Sequence, residues 1–297
     1  MKTLIIGSKG FIGSHILNYY KKNSLPVIGC DVVTEYEDQD YYQIDATNAN
    51  YHFLFEKFEI SVCINCSGAA SVPLSIINPL KDYTLNTVNV FKILDAIREY
   101  QPKCKFINLS SAAIYGNPIR LPIQENFGYS PVSPYGIHKM HAELICKEFF
   151  NFYDIQTCSL RIFSAYGEGL RKQLFWDLYQ KFSKSNEIVE LFGTGNETRD
   201  FIYIDDIIQS ISCIQKNADF NGEAINIANG EELTIKSIAE LFNQDLGLGK
   251  KIVFNNMQKK GDPLNWRADI STIKSYGYKK TVSIEQGIKK FIDWARN

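Results

Sequence analysis

Lys2-Thr3-Leu4-Ile5-Ile6-Gly7-Ser8-Lys9-Gly10-Phe11-Ile12-Gly13 is the stretch that decides the fold. Lys2–Ile6 is a short apolar run that stops at Gly7, the pattern of a buried strand. Phe11–Tyr20 repeats apolar residues at helical spacing, with Ile12, Ile16, Leu17 and Tyr20 on one face. Between them lies a G-x-x-G-x-x-G. Glycines at that spacing allow a tight turn and let backbone N–H groups approach an anion at the helix N-terminus. A glycine pattern alone is weak, but strand before and helix after is the context it requires.

The same alternation continues outward. Strands are read at Pro26–Cys30, Ser61–Cys66, Cys104–Leu109 and Thr157–Phe163, with long helices at Pro79–Tyr100 and Tyr135–Tyr153. Strands alternating with helices predict an α/β fold, a Rossmann-type doubly wound parallel sheet. Residues 1–165 are read as the dinucleotide-binding domain. Residues 166–297 change character and are read as a smaller C-terminal α/β substrate lobe. Segments near 200–230 are expected to return to the first domain. The second part includes an extended run at Arg199–Ile204, a helix at Asp206–Gln215, a strand at Ala224–Ile227 and a helix at Thr234–Leu246.

Composition narrows the function. The 297 residues carry a formal net charge of −1, which gives no electrostatic reason to expect nucleic acid or an anionic membrane as partner. No apolar run approaches the roughly 20 residues of a membrane span. Met1–Gly7 reads as a strand entering a loop and not as a targeting segment. The seven cysteines are scattered and odd in number, which suits free thiols and a cytoplasmic location. Cys63 and Cys66 form a C-x-x-C inside a strand, where residues three apart do not share a face, so two buried thiols are expected and no metal.

Asp31 ends the second strand about 20 residues past the glycine loop, the place for a carboxylate that binds the adenosine ribose hydroxyls. A carboxylate there repels a 2′-phosphate and favours NAD over NADP. Lys9 works in the opposite direction. Asp45, in Gln43-Ile44-Asp45-Ala46-Thr47, suits an adenine amino group or, equally, a helix cap.

Pro134-Tyr135-Gly136-Ile137-His138-Lys139 holds a Tyr-x-x-x-Lys at a helix start, which puts both side chains on one face. A free tyrosine titrates near ~10. A neighbouring ammonium and a positive nicotinamide ring are expected to lower that value. Alone, the spacing is a common exposed pair. Twenty-four residues upstream of Tyr135, however, Ser111 stands in Leu109-Ser110-Ser111-Ala112-Ala113-Ile114-Tyr115-Gly116 at a strand end. Ligands of open α/β sheets bind beyond such ends. His138 and His141 are read as surface or interface residues.

The glycine loop, SSAAIYG, SPYGIHK, LRIFSAYG and ETRDFIYIDD follow one another in the order of the extended short-chain dehydrogenase/reductase family. The chain resembles its NAD-dependent epimerase/dehydratase group, which includes the UDP-galactose 4-epimerases, from residue 1 to about 207 and more loosely beyond. The resemblance implies a catalytic Ser111, Tyr135 and Lys139. It implies NAD contacts from Gly7, Gly10, Phe11, Ile12, Gly13, Asp31, Asp45, Ala46, Cys66, Ser67, Gly68, Asn86, Tyr135 and Lys139. It implies a nucleotide-diphosphate sugar met by Ser111, Ser164, Arg199 and Arg267. An ion pair of Arg199 with Asp200 or Asp205 is the plainer alternative. Trp266 and Arg267 follow Gly261-Asp262-Pro263, where family members close over the nucleotide. The resemblance also implies a homodimer through the two long helices, and a place in cell-envelope polysaccharide synthesis.

Three places in the chain depart from the group's patterns. Dehydratases carry Thr-Asp-Glu where this chain has Ser111-Ala112-Ala113, so acid/base groups for water loss are missing. Ser164 stands for a usual asparagine, and Ala70 for a lysine of the galactose epimerases. The expected activity is NAD-dependent nucleotide-sugar epimerisation, at C4. The alternatives are an NAD(P)H-dependent nucleotide 4-ketosugar reductase and a non-catalytic dinucleotide-binding protein; the intact Ser111, Tyr135 and Lys139 argue against the last.

Overall fold

A computed structural model describes residues 1–46, 48–185, 187–257, 261 and 263–297. Thr47 and Asp262, in two of the stretches quoted above, lie outside the described residues. Strands β1 (Lys2–Ile6), β2 (Val27–Asp31), β3 (Tyr41–Gln43), β4 (Ile60–Asn65), β5 (Lys105–Ser111) and β6 (Thr157–Ile162) are followed by β7 (Ser164–Tyr166), β8 (Ile188–Leu191), β9 (Thr198–Arg199), β10 (Phe201–Tyr203), β11 (Asn221–Ile227), β12 (Leu233–Thr234) and β13 (Lys251–Phe254). The main sheet has the order β11-β6-β5-β4-β1-β2-β3. Its β1 to β6 pair in parallel. The order reverses between β1 and β4, and ligands bind beyond the carboxyl ends at such a switch.

The helices are α1 (Phe11–Lys22), α2 (His52–Lys57), α3 (Val72–Ile77), α4 (Pro79–Tyr83), α5 (Asn89–Tyr100), α6 (Pro134–Tyr153), α7 (Gln173–Lys184), α8 (Ile204–Asn217), α9 (Ile235–Leu246), α10 (Ser271–Ser275) and α11 (Ile284–Arg296). Leu4, Ile6, Ile28, Cys63 and Phe106 of the sheet are buried with Ile93, Leu94 and Ile97 of α5 and Cys146 and Phe149 of α6. Both faces of the central strands are covered, which is why those strands read as unbroken apolar runs.

One expectation is corrected. Pro79–Tyr100 is not a single α-helix: a π-helical turn, Thr84–Val88, separates α4 from α5. The wider turn brings polar Asn86 and Thr87 inside, where an unbroken apolar stripe has no place for them. Thr87 Oγ1 donates to the His138 carbonyl at 2.9 Å, and Asn86 Nδ2 to the Ala69 carbonyl at 3.1 Å.

The chain packs as two compact units. The first comprises Met1–Gly116, Gly128–Ile162 and Ile214–Ile225; the second comprises Asn117–Phe127, Phe163–Cys213 and Asn226–Asn297. Against the expected boundary after residue 165 and return near 200–230, residues 117–127 pack with the second unit and 214–225 with the first. The returning segment is anchored by buried Phe220, whose carbonyl accepts from Thr157 N at 3.1 Å. In the second unit, Tyr166 stacks on Phe175 at 4.2 Å, and Phe201, Phe242 and Phe291 surround Phe175 at 5.4, 5.3 and 5.7 Å. Helix α11 supplies Phe291 and begins with a capping box between Ser283 and Gln286. Among the described residues, no helix is long and apolar enough to cross a membrane.

Candidate active site

Three loops meet at the carboxyl edge of the first unit's sheet. Gly7 ends β1 with φ of +80°, and a Cβ there would lie 2.6 Å from Ser67 N after β4. A Cβ on Gly13 would lie 2.1 Å from the Gly7 carbonyl oxygen. Only glycine fits either place, because the first turn of α1 and the end of β4 both press on the loop. The α1 N-cap is Gly10, and no side chain caps the helix. Its first N–H groups are therefore left for an anion, the requirement of a pyrophosphate. The residues fit a dinucleotide on this observation. Phe11 and Ile12 open the helix, Phe11 edge-on to His15 at 5.4 Å.

Asp31 is fixed at the end of β2. Its Oδ2 accepts from Lys9 N at 2.8 Å and its Oδ1 from Val32 N at 2.7 Å. The Lys9 ammonium, expected to counter Asp31, turns elsewhere. It sits 2.7 Å from Glu35 Oε2 and 4.9 Å from the centre of the Tyr41 ring. The Lys9 hydrogen bond holds the Glu35 carboxyl down at about 2. Asp45 is exposed, as is Ala46, and accepts from Asn48 N at 3.1 Å.

After β4, Asn65 Oδ1 accepts from Ser67 N at 3.2 Å and from Ser67 Oγ at 2.6 Å, shaping the Cys66-Ser67-Gly68 bend. Burial pushes the Cys63 and Cys66 thiols up, and all seven cysteines are free. Asn86, on the π-helical turn, lies beside Gly68. Its Oδ1 is buried, and no donor among the described residues reaches it. Such an orphaned acceptor suits a ligand donor group.

The Tyr135 helix starts where sequence chemistry demands. Ser133 caps α6 by accepting from Gly136 N at 3.2 Å, and Pro134 occupies the first turn. A Cβ on Gly136 would lie 2.6 Å from the Ala113 carbonyl, so the helix start rests directly on the turn that follows Ser111. Ser111 neighbours Tyr135, and its hydroxyl favours the Tyr135 phenolate. Tyr135 N donates to Ser75 Oγ at 3.1 Å. Lys139 Nζ donates to the Leu109 carbonyl at 2.8 Å. The structure thus brings Ser111, Tyr135 and Lys139 to one strand end.

Two expectations here are corrected. Tyr135 is not lowered in the protein alone. Burial pushes it up to about 12, the Ser111 hydrogen bond opposes, and the Asp82 charge adds to the rise. His138 is not a surface residue: it is 9% exposed, and its Nδ1 lies 2.5 Å from Asp82 Oδ2. Helix α4 is the reason, since its Asp82 carboxylate and the edge of its Tyr83 ring, 5.1 Å away, meet the imidazole. Sequence reasoning missed Asp82, Ser75 and the Arg161–Glu143 ion pair, 2.8 Å apart behind the triad. Glu143 was visible as the residue four beyond Lys139.

In the second unit, Ser164 opens β7 and its N–H donates to the Asp200 carbonyl at 3.0 Å. Arg199 Nη1 donates to the carbonyls of Thr198 (2.8 Å) and Leu264 (3.2 Å), and its guanidinium lies 5.8 Å from the Trp266 ring. The Asp200 carboxylate accepts from the backbone of Asn229, Gly230 and Ala268. Asp205 lies 3.6 Å from Lys290. Arg267 adjoins buried Trp266, and its carbonyl accepts from Ile123 N at 2.7 Å.

Burial pulls the Lys139 ammonium down to about 8. An unfolded lysine keeps its proton to ~10.4. The unfolded chain therefore binds more protons between these values, and stability gains as pH rises through them. Below pH 8 the buried charge is a standing cost. Lys139→Met is expected to raise the stability of the cofactor-free protein at pH 7 by about 1–3 kcal/mol. The gain should shrink towards pH 10. Denaturant titration at both pH values checks this, and a variant less stable at pH 7 contradicts it.

The NAD dependent epimerase/dehydratase family profile matches residues 3–228. A putative UDP-glucose 4-epimerase of Methanocaldococcus jannaschii is 27% identical, over 99% of this chain and 98% of its own. A UDP-glucuronate 4-epimerase of Thermodesulfobacterium geofontis is 28% identical, over 99% and 95%. The crystal structure of UDP-glucuronic acid 4-epimerase from Bacillus cereus, in complex with UDP-glucuronic acid and NAD, superposes with a TM-score of 0.89 at 27% identity, covering 100% of this chain and 99% of that one. The chain belongs to the NAD dependent epimerase/dehydratase family and is an NAD-dependent enzyme.

Proposed function

We propose that the protein is a 4-epimerase of UDP-sugars. The observation that carries this is the convergence at the carboxyl end of β5 of Ser111, Tyr135, whose helix start rests on the Ala113 carbonyl, and Lys139, whose Nζ is held by the Leu109 carbonyl two residues before Ser111. The family and the relatives that act at sugar C4 support it. The glycine loop with Gly7, Gly10, Phe11, Ile12 and Gly13 would hold the NAD pyrophosphate. Asp31, Asp45 and Ala46 would hold the adenosine side. Cys66, Ser67, Gly68, Asn86, Tyr135 and Lys139 would hold the nicotinamide side. Bound NAD supplies a hydride acceptor and a positive charge beside the phenol.

The residues of this chain perform the proton chemistry. Ser111 holds the sugar oxygen in hydrogen-bond reach of Tyr135. Tyr135, as phenolate, takes the proton of the C4 hydroxyl and later returns one to the C4 oxygen. Since burial holds Tyr135 at about 12 in the protein alone, the phenolate needs added positive charge. Lys139 supplies part of it, and its pull towards about 8 makes it a cation only near and below that pH. Ser164, Arg199 and Arg267 are proposed for the diphosphate, a geometry that guanidinium groups match. Lys9 is the feature that favours an NADPH-dependent 4-ketosugar reductase, and Glu35 takes its charge.

We read the protein also as a cytoplasmic homodimer. Seven free thiols support the first. Leu80, Phe91, Ile137 and Leu144, exposed on α4, α5 and α6, support the second. Sedimentation equilibrium should give the mass of two chains; a single chain at micromolar concentration refutes the dimer.

The test of function is conversion of UDP-glucuronate or UDP-glucose with no cofactor added, followed by NMR of the anomeric protons. We expect the C4 epimer to accumulate to equilibrium. Tyr135→Phe should lower kcat by roughly 10²–10⁴ with KM nearly unchanged. No epimer from either sugar, or a fully active Tyr135→Phe, overturns the proposal.

A further inference from the structure

Behind the triad lies a buried ionic cluster that the proton chemistry above does not use. Glu143 is 1% exposed and Arg161 is 3% exposed. The two meet through a fork: Arg161 Nη2 donates to Glu143 Oε2 at 2.8 Å, and Nε lies 3.1 Å and 3.2 Å from the two carboxylate oxygens. Ser110 Oγ donates to Oε1 at 2.5 Å, and Tyr129 OH to Oε2 at 3.1 Å. Arg161 Nη1 donates to Tyr115 OH at 2.7 Å. The guanidinium also lies 5.0 Å from the Tyr115 ring and 5.5 Å from the Tyr129 ring.

The placement of these groups is what matters. Tyr135, Lys139 and Glu143 follow one another at four-residue spacing and share one face of α6. That face meets three consecutive residues of β5. Lys139 donates to the Leu109 carbonyl, Glu143 accepts from the Ser110 hydroxyl, and Tyr135 lies beside Ser111. Arg161 stands opposite Ser110 in the parallel register of β5 and β6. Its other arm reaches Tyr115, the last residue of the 3₁₀ turn that Ser111 caps. The cluster therefore grips the chain on both sides of Ser111.

We propose that Glu143, locked by Arg161, is a positioning residue that sets where the catalytic helix sits along the catalytic strand. The inference rests on the reading of Ser111, Tyr135 and Lys139 as the reacting groups. A buried ion pair is a poor device for stability alone, because well-packed apolar residues of similar size serve as well or better. What a planar guanidinium and a carboxylate with several donors supply is a single permitted arrangement. Apolar contacts permit a helix to slide by fractions of an ångström, whereas this cluster does not. A displacement of about 1 Å at reacting atoms reduces rate by about a hundredfold.

The charge of Glu143 also reaches Lys139. Burial lowers the lysine first, and the groups that face it, Asp82, Cys66, Glu143 and Cys146, oppose that fall. Displacement of α6 changes Lys139's burial and its distance from Asp82 and Cys66, which lie on other elements. In a variant that keeps Glu143, the titration midpoint of Lys139 thus reports helix position without any turnover.

Two variants test the inference. Arg161→Lys keeps the charge and removes the fork. The double variant Glu143→Leu with Arg161→Met removes the pair without leaving a buried charge unpaired. Each is compared with the wild-type protein, holding its native cofactor, in three measurements: thermal melting, kcat and KM on the sugar that the wild type epimerises, and the Lys139 midpoint from ¹³C NMR of the lysine ε-carbon, assigned with Lys139→Met. We expect both variants to fold with kcat lowered about tenfold and KM within about twofold, and Arg161→Lys, which keeps Glu143, to show a displaced Lys139 midpoint. A folded variant with wild-type kcat and midpoint overturns the inference. Loss of folding in both variants also overturns it, since the pair is then a stability element. Should the wild type epimerise no sugar, the epimerase reading fails by itself, and the Lys139 midpoint still decides the inference.

Discussion

The seating of α6 on the end of β5 is the constraint on which the site depends. Gly136 lets the first turn of the helix rest on the Ala113 carbonyl, closer than a Cβ allows. From there, one helix face presents Tyr135, Lys139 and Glu143 to Leu109, Ser110 and Ser111. Ser133 and Pro134 determine where the helix begins, and so which residues occupy that face. A start shifted by one residue would rotate the face by about 100° and disperse the triad.

The same strand ends would serve the cofactor. β1, β4 and β5 are neighbours in the sheet, so the glycine loop, the Cys66–Gly68 bend and Ser111 follow side by side. Close backbone contact between Gly7 and Ser67 couples the first two. The π-helical turn carries Asn86 to Gly68 and lets Thr87 tie α6 through the His138 carbonyl. An irregular turn at this place is consistent with the way such turns cluster at functional sites. The electrostatics follow from burial. Tyr135 and Lys139 are each pushed towards neutrality by the dry surroundings, so the site is poised for added positive charge and not already ionised.

Much of this was legible in the sequence, because local chemistry wrote it. Apolar runs ending at Gly7, Asp31 and Ser111 announced the central strands. The G-x-x-G-x-x-G and Tyr-x-x-x-Lys stood in the right element contexts. What escaped the reading is set by tertiary contact. The π-helical turn follows from burial of Asn86 and Thr87, which periodicity over Pro79–Tyr100 does not reveal. His138 turned inward because Asp82, 56 residues away, meets it. Arg161 and Glu143 lie on different elements, and only the β5–β6 register aligns them with Ser110. β8 and β13 pair across a long stretch with no local signal. Helix α11 is a different case: Ser283 and Gln286 at capping-box spacing, with Ile284, Ile288, Phe291 and Ile292 on one face, were readable signals.

We propose that these loops retain NAD and reuse it in every cycle, with Asp31 excluding a 2′-phosphate once Glu35 has taken Lys9. The most direct measurement is the identity and amount of nucleotide released when the purified protein, given no cofactor, is denatured. NAD close to one per chain is expected. A protein that releases nothing and then takes up NADPH in preference to NAD would contradict it.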